Sequence, residues 1–141
     1  MPYRGAAPAL TDLLGGQVQV IFSTMPASIQ YIRAGNLRAL AVTTATRSEA
    51  LPDISAVSEF LPGYEGSTWY GVGAPKNTPT EMVQKLNKEI IAALADPKLK
   101  ARLADLGAEP MPMTRAEFEK FVAADTEKWG KVVRAANIKA E

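Results

Sequence analysis

The side chains that most often carry catalysis are thinly represented in this sequence. It contains no histidine and no cysteine, which removes thiolate nucleophiles, disulfides, the usual zinc ligands and the one side chain that normally titrates near neutral pH. The acids that do gather, Glu117, Glu119, Asp125 and Glu127, have structural explanations. Glu117 follows Thr114 at capping-box spacing, and Glu119 and Glu127 fall on the solvated face of the same helix. Asp125 lies instead on the apolar stripe between Val122 and Trp129. An unpaired charge is costly there, so a structural partner, either backbone amides or a Lys or Arg of a neighbouring element, accounts for it better than a ligand does. The sequence shows no convincing acid pair, serine with a base, or phosphate loop. It predicts no catalytic residue, no metal site and no cofactor, and hence a protein that is not an enzyme.

Binding chemistry has better candidates. In the turn Tyr3-Arg4-Gly5-Ala6-Ala7-Pro8, a strand end is followed by the first turn of a helix, the place where open α/β sheets bind ligands. Free N–H groups and the positive end of the helix dipole favour an anion there, and Gly5, Ala6 and Ala7 let it approach the backbone. A plain tight βα turn explains the same residues equally well. Phe22-Ser23-Thr24 occupies the equivalent place after the next strand, where Ser23 and Thr24 offer two hydroxyls and Thr24 also suits a helix N-cap. Trp69-Tyr70 is a third candidate. Aromatic residues in a strand are more often core, but the Tyr70 hydroxyl needs a partner or water.

The elements that must position these residues can be read from punctuation. From Pro2 to Val42 short β-prone runs alternate with Ala/Leu-rich runs that open near a proline and close at glycine, a βαβαβ pattern. Pro8 opens a helix stopped by Gly15-Gly16, Val18 to Phe22 reads as a strand, Pro26 opens a helix ended by Gly35, and Leu37 to Val42 is the next strand. Right-handed crossovers place such strands parallel in one sheet. Residues 43–66 lose the periodicity and read as a long connection with a short helix near Ala56 to Phe60. Thr68 to Ala74 resembles a strand that exits at Pro75. Three capped helices follow. Thr78-Pro79-Thr80-Glu81 predicts a capping box with Thr78 as N-cap, Asp96-Pro97 opens a helix that Gly107 stops, and Thr114 to Glu117 is a second capping box. The fold class is therefore α/β, with residues 1–66 and 67–141 as its two parts. A first strand at the chain start, with nothing to cover it, predicts an incomplete unit.

The 16 basic and 15 acidic residues nearly cancel and are scattered along the chain, so nucleic acid is not an expected partner. The start at Met1 has no signal-peptide pattern, and the apolar runs are too short to cross a bilayer. A soluble chain without its own export signal is expected.

Taken in order, Tyr3 to Val18, Ile32 to Thr44, Leu61-Pro62-Gly63-Tyr64-Glu65, Trp69-Tyr70-Gly71, Ala74-Pro75 with Thr78-Pro79, and Leu106 to Pro110 closely resemble the Bug-type receptors of tripartite tricarboxylate transporters. The resemblance runs from end to end, but only to the later part of such a receptor. It implies a two-lobed α/β periplasmic binding protein that closes on a small carboxylate or related solute and hands it to a membrane permease. Residues 1–66 would then be the closing part of the second lobe, with a crossover strand and the C-terminal helices completing the first. The Tyr3 to Pro8 and Phe22 to Thr24 turns match cleft-facing turns of the family. Many relatives carry aspartate at the place of Ser23, so selectivity does not transfer there. Two other classes fit less well. An enzyme on a Rossmann-like or flavodoxin-like half would need spaced glycines in the first βα turn, and a noncatalytic assembly module would pair its open edges with another chain, or self-associate.

Overall fold

The computed structural model describes residues 3–139. The chain divides into two compact units, Met1–Val72 with Pro97–Pro110, and Gly73–Asp96 with Met111–Glu141. Residues 97–110, which the sequence reading grouped with everything after residue 67, thus belong to the first unit.

In the first unit, helix α1 (Ala6–Leu14) and helix α2 (Met25–Arg33) contact each other. The two end alike. Gln17 N–H reaches back to Asp12 O at 2.8 Å after Gly16, and Asn36 N–H to Tyr31 O at 2.9 Å after Gly35, so in both cases a glycine in the left-handed region closes the helix and satisfies its last carbonyls. Helix α4 (Pro97–Asp105) joins this unit through Arg33, whose Nη1 donates to Asp105 O at 2.9 Å. Its stop, Gly107 at φ +68°, lies against Met25 and Ile29 of α2. The core is small: Ala9, Leu10, Ile29, Val42 and Ala56, with Ile29 fully buried. Among the described residues Ser28 is the buried polar one, and its hydroxyl donates to Thr24 O at 3.1 Å.

The connection 43–66 is held by side-chain hydrogen bonds. Arg47 donates Nε and Nη2 to the Glu59 carboxylate, both at 2.8 Å, and Nη1 to Pro52 O at 3.2 Å. Ala56 N–H donates to the same carboxylate at 2.8 Å, at the start of a 3-10 turn over Val57–Glu59. Thr43 Oγ1 donates to Gly66 O at 2.8 Å and closes the loop. The expected short helix is thus a single 3-10 turn.

The expected parallel sheet does not form among the described residues. The first strand was placed at the chain start, and Met1 and Pro2 lie outside them. Residues 18–22, 37–41 and 68–74 carry no ladder, and the β pairing present is a single parallel bridge between Val42 and Ala56. Alternating apolar residues give a segment its strand preference, but a ladder also needs a neighbouring backbone about 4.8 Å away. Without one, Val20, Phe22, Leu40 and Val72 remain exposed.

The second unit holds helix α3 (Thr80–Ala95) and helix α5 (Arg115–Ala135). Asn87 Nδ2 of α3 donates to Met113 O at 3.0 Å, just before α5 begins. The Thr114 capping box forms as its spacing predicts: Glu117 N–H donates to Thr114 Oγ1 at 3.3 Å, and Thr114 N–H donates to Glu117 Oε2 at 2.8 Å. The Thr114 hydroxyl also donates to Glu117 Oε2 at 2.7 Å, and this bond first and the Thr114 backbone N–H second hold the Glu117 carboxyl below its ordinary pKa. The box expected at Thr78 does not form. Pro79 is the N-cap, and the Thr78 hydroxyl donates backwards to Pro75 O at 2.8 Å. The apolar stripes of α3 and α5 bury no residue completely. Asp125 is half-buried and interacts with a neighbouring group.

Candidate functional site

The Tyr3 to Pro8 turn is built around one backbone conformation. Gly5, the N-cap of α1, sits at φ 104° and ψ 179°, a region that side chains other than hydrogen do not tolerate. It aims the chain into a helix whose start has no side-chain cap. The first N–H groups of a helix lack intrahelical partners, and Pro8 contributes none, so the amides of Ala6 and Ala7 are the donors presented here. Both side chains are exposed methyls that do not screen these amides. With the helix dipole, which is worth about 0.3–1 kcal/mol to an exposed anion, the turn suits a carboxylate oxygen.

Tyr3 has a partner within the chain. Its hydroxyl donates to Asp12 Oδ2 at 2.9 Å, and this bond, then partial desolvation, then the Asp12 charge raise the phenol pKa. With its proton directed at Asp12, the phenol ties the turn to α1, and it could donate to a ligand only by leaving that partner. Nothing in the sequence pattern marked Asp12 beyond its place on the helix; the backbone path through Gly5 into α1 brings a tyrosine and an aspartate nine residues apart into contact. Arg4 is exposed.

The second turn opens α2 in a similar way. Thr24 is the N-cap in extended conformation, φ −71° and ψ 143°, and its side chain makes no capping bond. Ser23 Oγ donates to Thr24 O at 3.3 Å, a long contact. Ser23 and Thr24 are half-buried. Both turns thus open helices that touch, within one unit. Tyr70 belongs to that unit too, but it is 75% exposed.

An open cavity of about 510 Å³ lies elsewhere, lined by Ile32, Arg38, Ala39 and residues 50–54. It includes none of the predicted site residues, and it lies near the C-terminal end of α2, away from the helix start that the anion argument needs. Among the described residues no group of acids could hold a metal ion, and no helix is long and apolar enough to cross a membrane.

Comparison with solved structures places this geometry among periplasmic binding proteins. The chain superimposes on R. palustris Rpa4515 with adipate at a TM-score of 0.92 and 39% identity, covering 97% of this chain and 46% of that one. For the periplasmic binding protein BugD the TM-score is 0.91 at 35% identity, covering 100% and 48%. Protein BugT of Bordetella pertussis is 37% identical over 140 residues, which is 99% of this chain and 43% of BugT. The family described as the tripartite tricarboxylate transporter family receptor matches residues 1–138, and the chain belongs to it. It spans a little under half the length of these relatives.

Proposed function

We propose that this chain forms the later part of a two-lobed, periplasmic, non-enzymatic receptor that binds a small carboxylate for a tripartite tricarboxylate transporter and delivers it to that transporter's membrane permease. Residues 1–66 would contribute to one lobe, and the segment from 67 onward would cross back to the other. The observation that carries the ligand reading is the start of α1 behind Gly5, which has no side-chain cap and opens with the exposed residues Ala6 and Ala7. The hydroxyls of Ser23 and Thr24 supply a second set of polar contacts, and Arg4 and Tyr70 complete the candidate set, with Tyr3 bracing the turn. Membership of the receptor family and the likeness to an adipate-bound relative support this choice of ligand class.

The test is calorimetric titration of a full-length receptor containing this segment with adipate, malate, citrate and an amino-acid control. If backbone amides hold the carboxylate, Ala6→Phe weakens binding more than Arg4→Lys. Losing one charge-assisted hydrogen bond, about 1.5–3 kcal/mol, corresponds to roughly a tenfold to hundredfold loss. The reverse order would assign the carboxylate to the guanidinium.

A further inference from the structure

The open cavity of about 510 Å³ takes no part in the carboxylate reading above, yet its lining combines the features of a small-molecule site. Ile32, Leu51 and Ile54 make much of it apolar, and all three are half-buried, with surface still open to water. Two charged side chains stand among them, Arg38 and Asp53, and they are not equivalent. Asp53 acts on the Arg47 guanidinium, so its charge has a counterpart within the chain. Arg38 enters no hydrogen bond or ion pair among the described residues, which leaves the uncompensated charge of the cavity positive. The walls are held in place by the chain itself. Arg47 Nη1 donates to Pro52 O at 3.2 Å and Nη2 to Ser55 Oγ at 3.3 Å, and Ile54 N–H donates to Leu51 O at 3.1 Å. Val42 N–H donates to Ser55 O at 3.0 Å and so fixes the run carrying Arg38 to the loop opposite. The cavity adjoins the C-terminal end of α2, whose dipole disfavours an anion, but Arg33 in that last turn offsets it. A preformed, largely apolar cavity of this size with few polar groups is the usual form of a small-molecule site.

We propose that this cavity is a second binding site, for a monocarboxylate on a hydrocarbon body: Arg38 takes the carboxylate, and Ile32, Leu51 and Ile54 cover the hydrocarbon. A guanidinium can hold a carboxylate through two parallel charge-assisted bonds, and the hydrocarbon gains by leaving water in proportion to the apolar area it covers. A dicarboxylate such as adipate fits poorly, because its second charge would be set among apolar side chains. The ligand of this site thus differs from that of the Gly5 turn. The nine residues of α2 place about 13 Å between the cavity and the Ser23-Thr24 turn, so the two sites can be filled together. Neither depends on the other.

The experiment is calorimetric titration of the 141-residue chain with octanoate as probe, alongside acetate, adipate, octylamine and leucine. The expected result is one-to-one saturation by octanoate, at least tenfold tighter than by acetate, which lacks the hydrocarbon, or by adipate. Arg38→Gln should weaken octanoate binding at least tenfold, and Arg38→Lys, which keeps the charge but loses the paired bonds, should weaken it less. Arg38 is exposed, so both variants should keep the helical circular dichroism of the parent. Ala6→Phe, at the Gly5 turn, should leave octanoate binding unchanged. Equal affinity in the parent and Arg38→Gln would overturn the proposal, as would uptake of octanoate without saturation, the mark of general adhesion to exposed apolar residues. Tighter binding of octylamine or leucine would give the site to Asp53 and overturn the anion assignment. Loss of octanoate binding in Ala6→Phe would move the probe to the turn and overturn the second site. A failure of the turn to bind adipate would leave every one of these readouts standing, so the two readings fail separately.

Discussion

Replacing Gly107 by alanine probes the joint between α4 and α2. Gly107 adopts φ +68°, and a Cβ built on it overlaps Met25 Cγ and comes within 3.3 Å of Ile29 Cδ1. Three terms set the size of the effect. The left-handed backbone costs an L-residue about 1–2 kcal/mol. Forcing a methyl into an occupied place costs about 1–3 kcal/mol, since Met25 Cγ is close to its own backbone and cannot swing clear as a chain end would. Reduced freedom of the unfolded chain returns about 0.4–1 kcal/mol. The central expectation is a loss of about 3 kcal/mol, from the sum of these terms. At roughly 2–4 °C per kcal/mol for a chain of this size, Tm should fall by about 6–12 °C. Trp69 lies in the unit concerned and Trp129 does not, so Trp69 fluorescence in a Trp129→Phe background follows the relevant transition in urea or on heating. Met25→Ala removes the overlapping atom, and in that background Gly107→Ala should cost only the conformational remainder, about 1 kcal/mol. An equal cost in both backgrounds would refute the packing argument, and a Tm change below about 2 °C would refute the argument as a whole.

Two further outcomes follow from the first unit. Gly5→Ala meets no atom within 4 Å, so its effect is purely conformational, about 1–3 kcal/mol of backbone strain that the turn relieves by changing shape. In a full-length receptor it should lower adipate affinity at least tenfold with little change in helix content, and unchanged affinity would dismiss the turn as a ligand site. Glu59 has its folded pKa lowered, by the Arg47 hydrogen bond first and the Ala56 amide second, so the carboxylate contributes stability above its ordinary value of 4.5 and loses it as pH falls through the folded value. Glu59→Gln should therefore be less stable than the parent at pH 7 and approach it in melts below pH 4.5; a gap that persists to the acid limit would exclude the ion pair as its source.

The α-helices were legible in the sequence. The Thr114 and Glu117 capping box, and the glycine stops after α1, α2 and α4, are made by residues within a few positions of each other, so their spacing is enough to predict the bonds. The sequence also marked the Gly5 turn as a candidate, although a plain tight βα turn explained the same small residues equally well. The Thr78 hydroxyl shows the limit even of local reading, since Pro75 O and the helix amides compete for one side chain and the backbone path decides between them. Only the tertiary structure decided that Tyr3 gives its proton to Asp12, that Arg47 grips Glu59, and that α4 belongs with the first unit. It also decided that the strand-patterned runs carry no ladder among the described residues. A helix closes its hydrogen bonds within its own segment, whereas a strand closes them only against a neighbour, so a pattern of alternating residues states a preference that another stretch of backbone must fulfil.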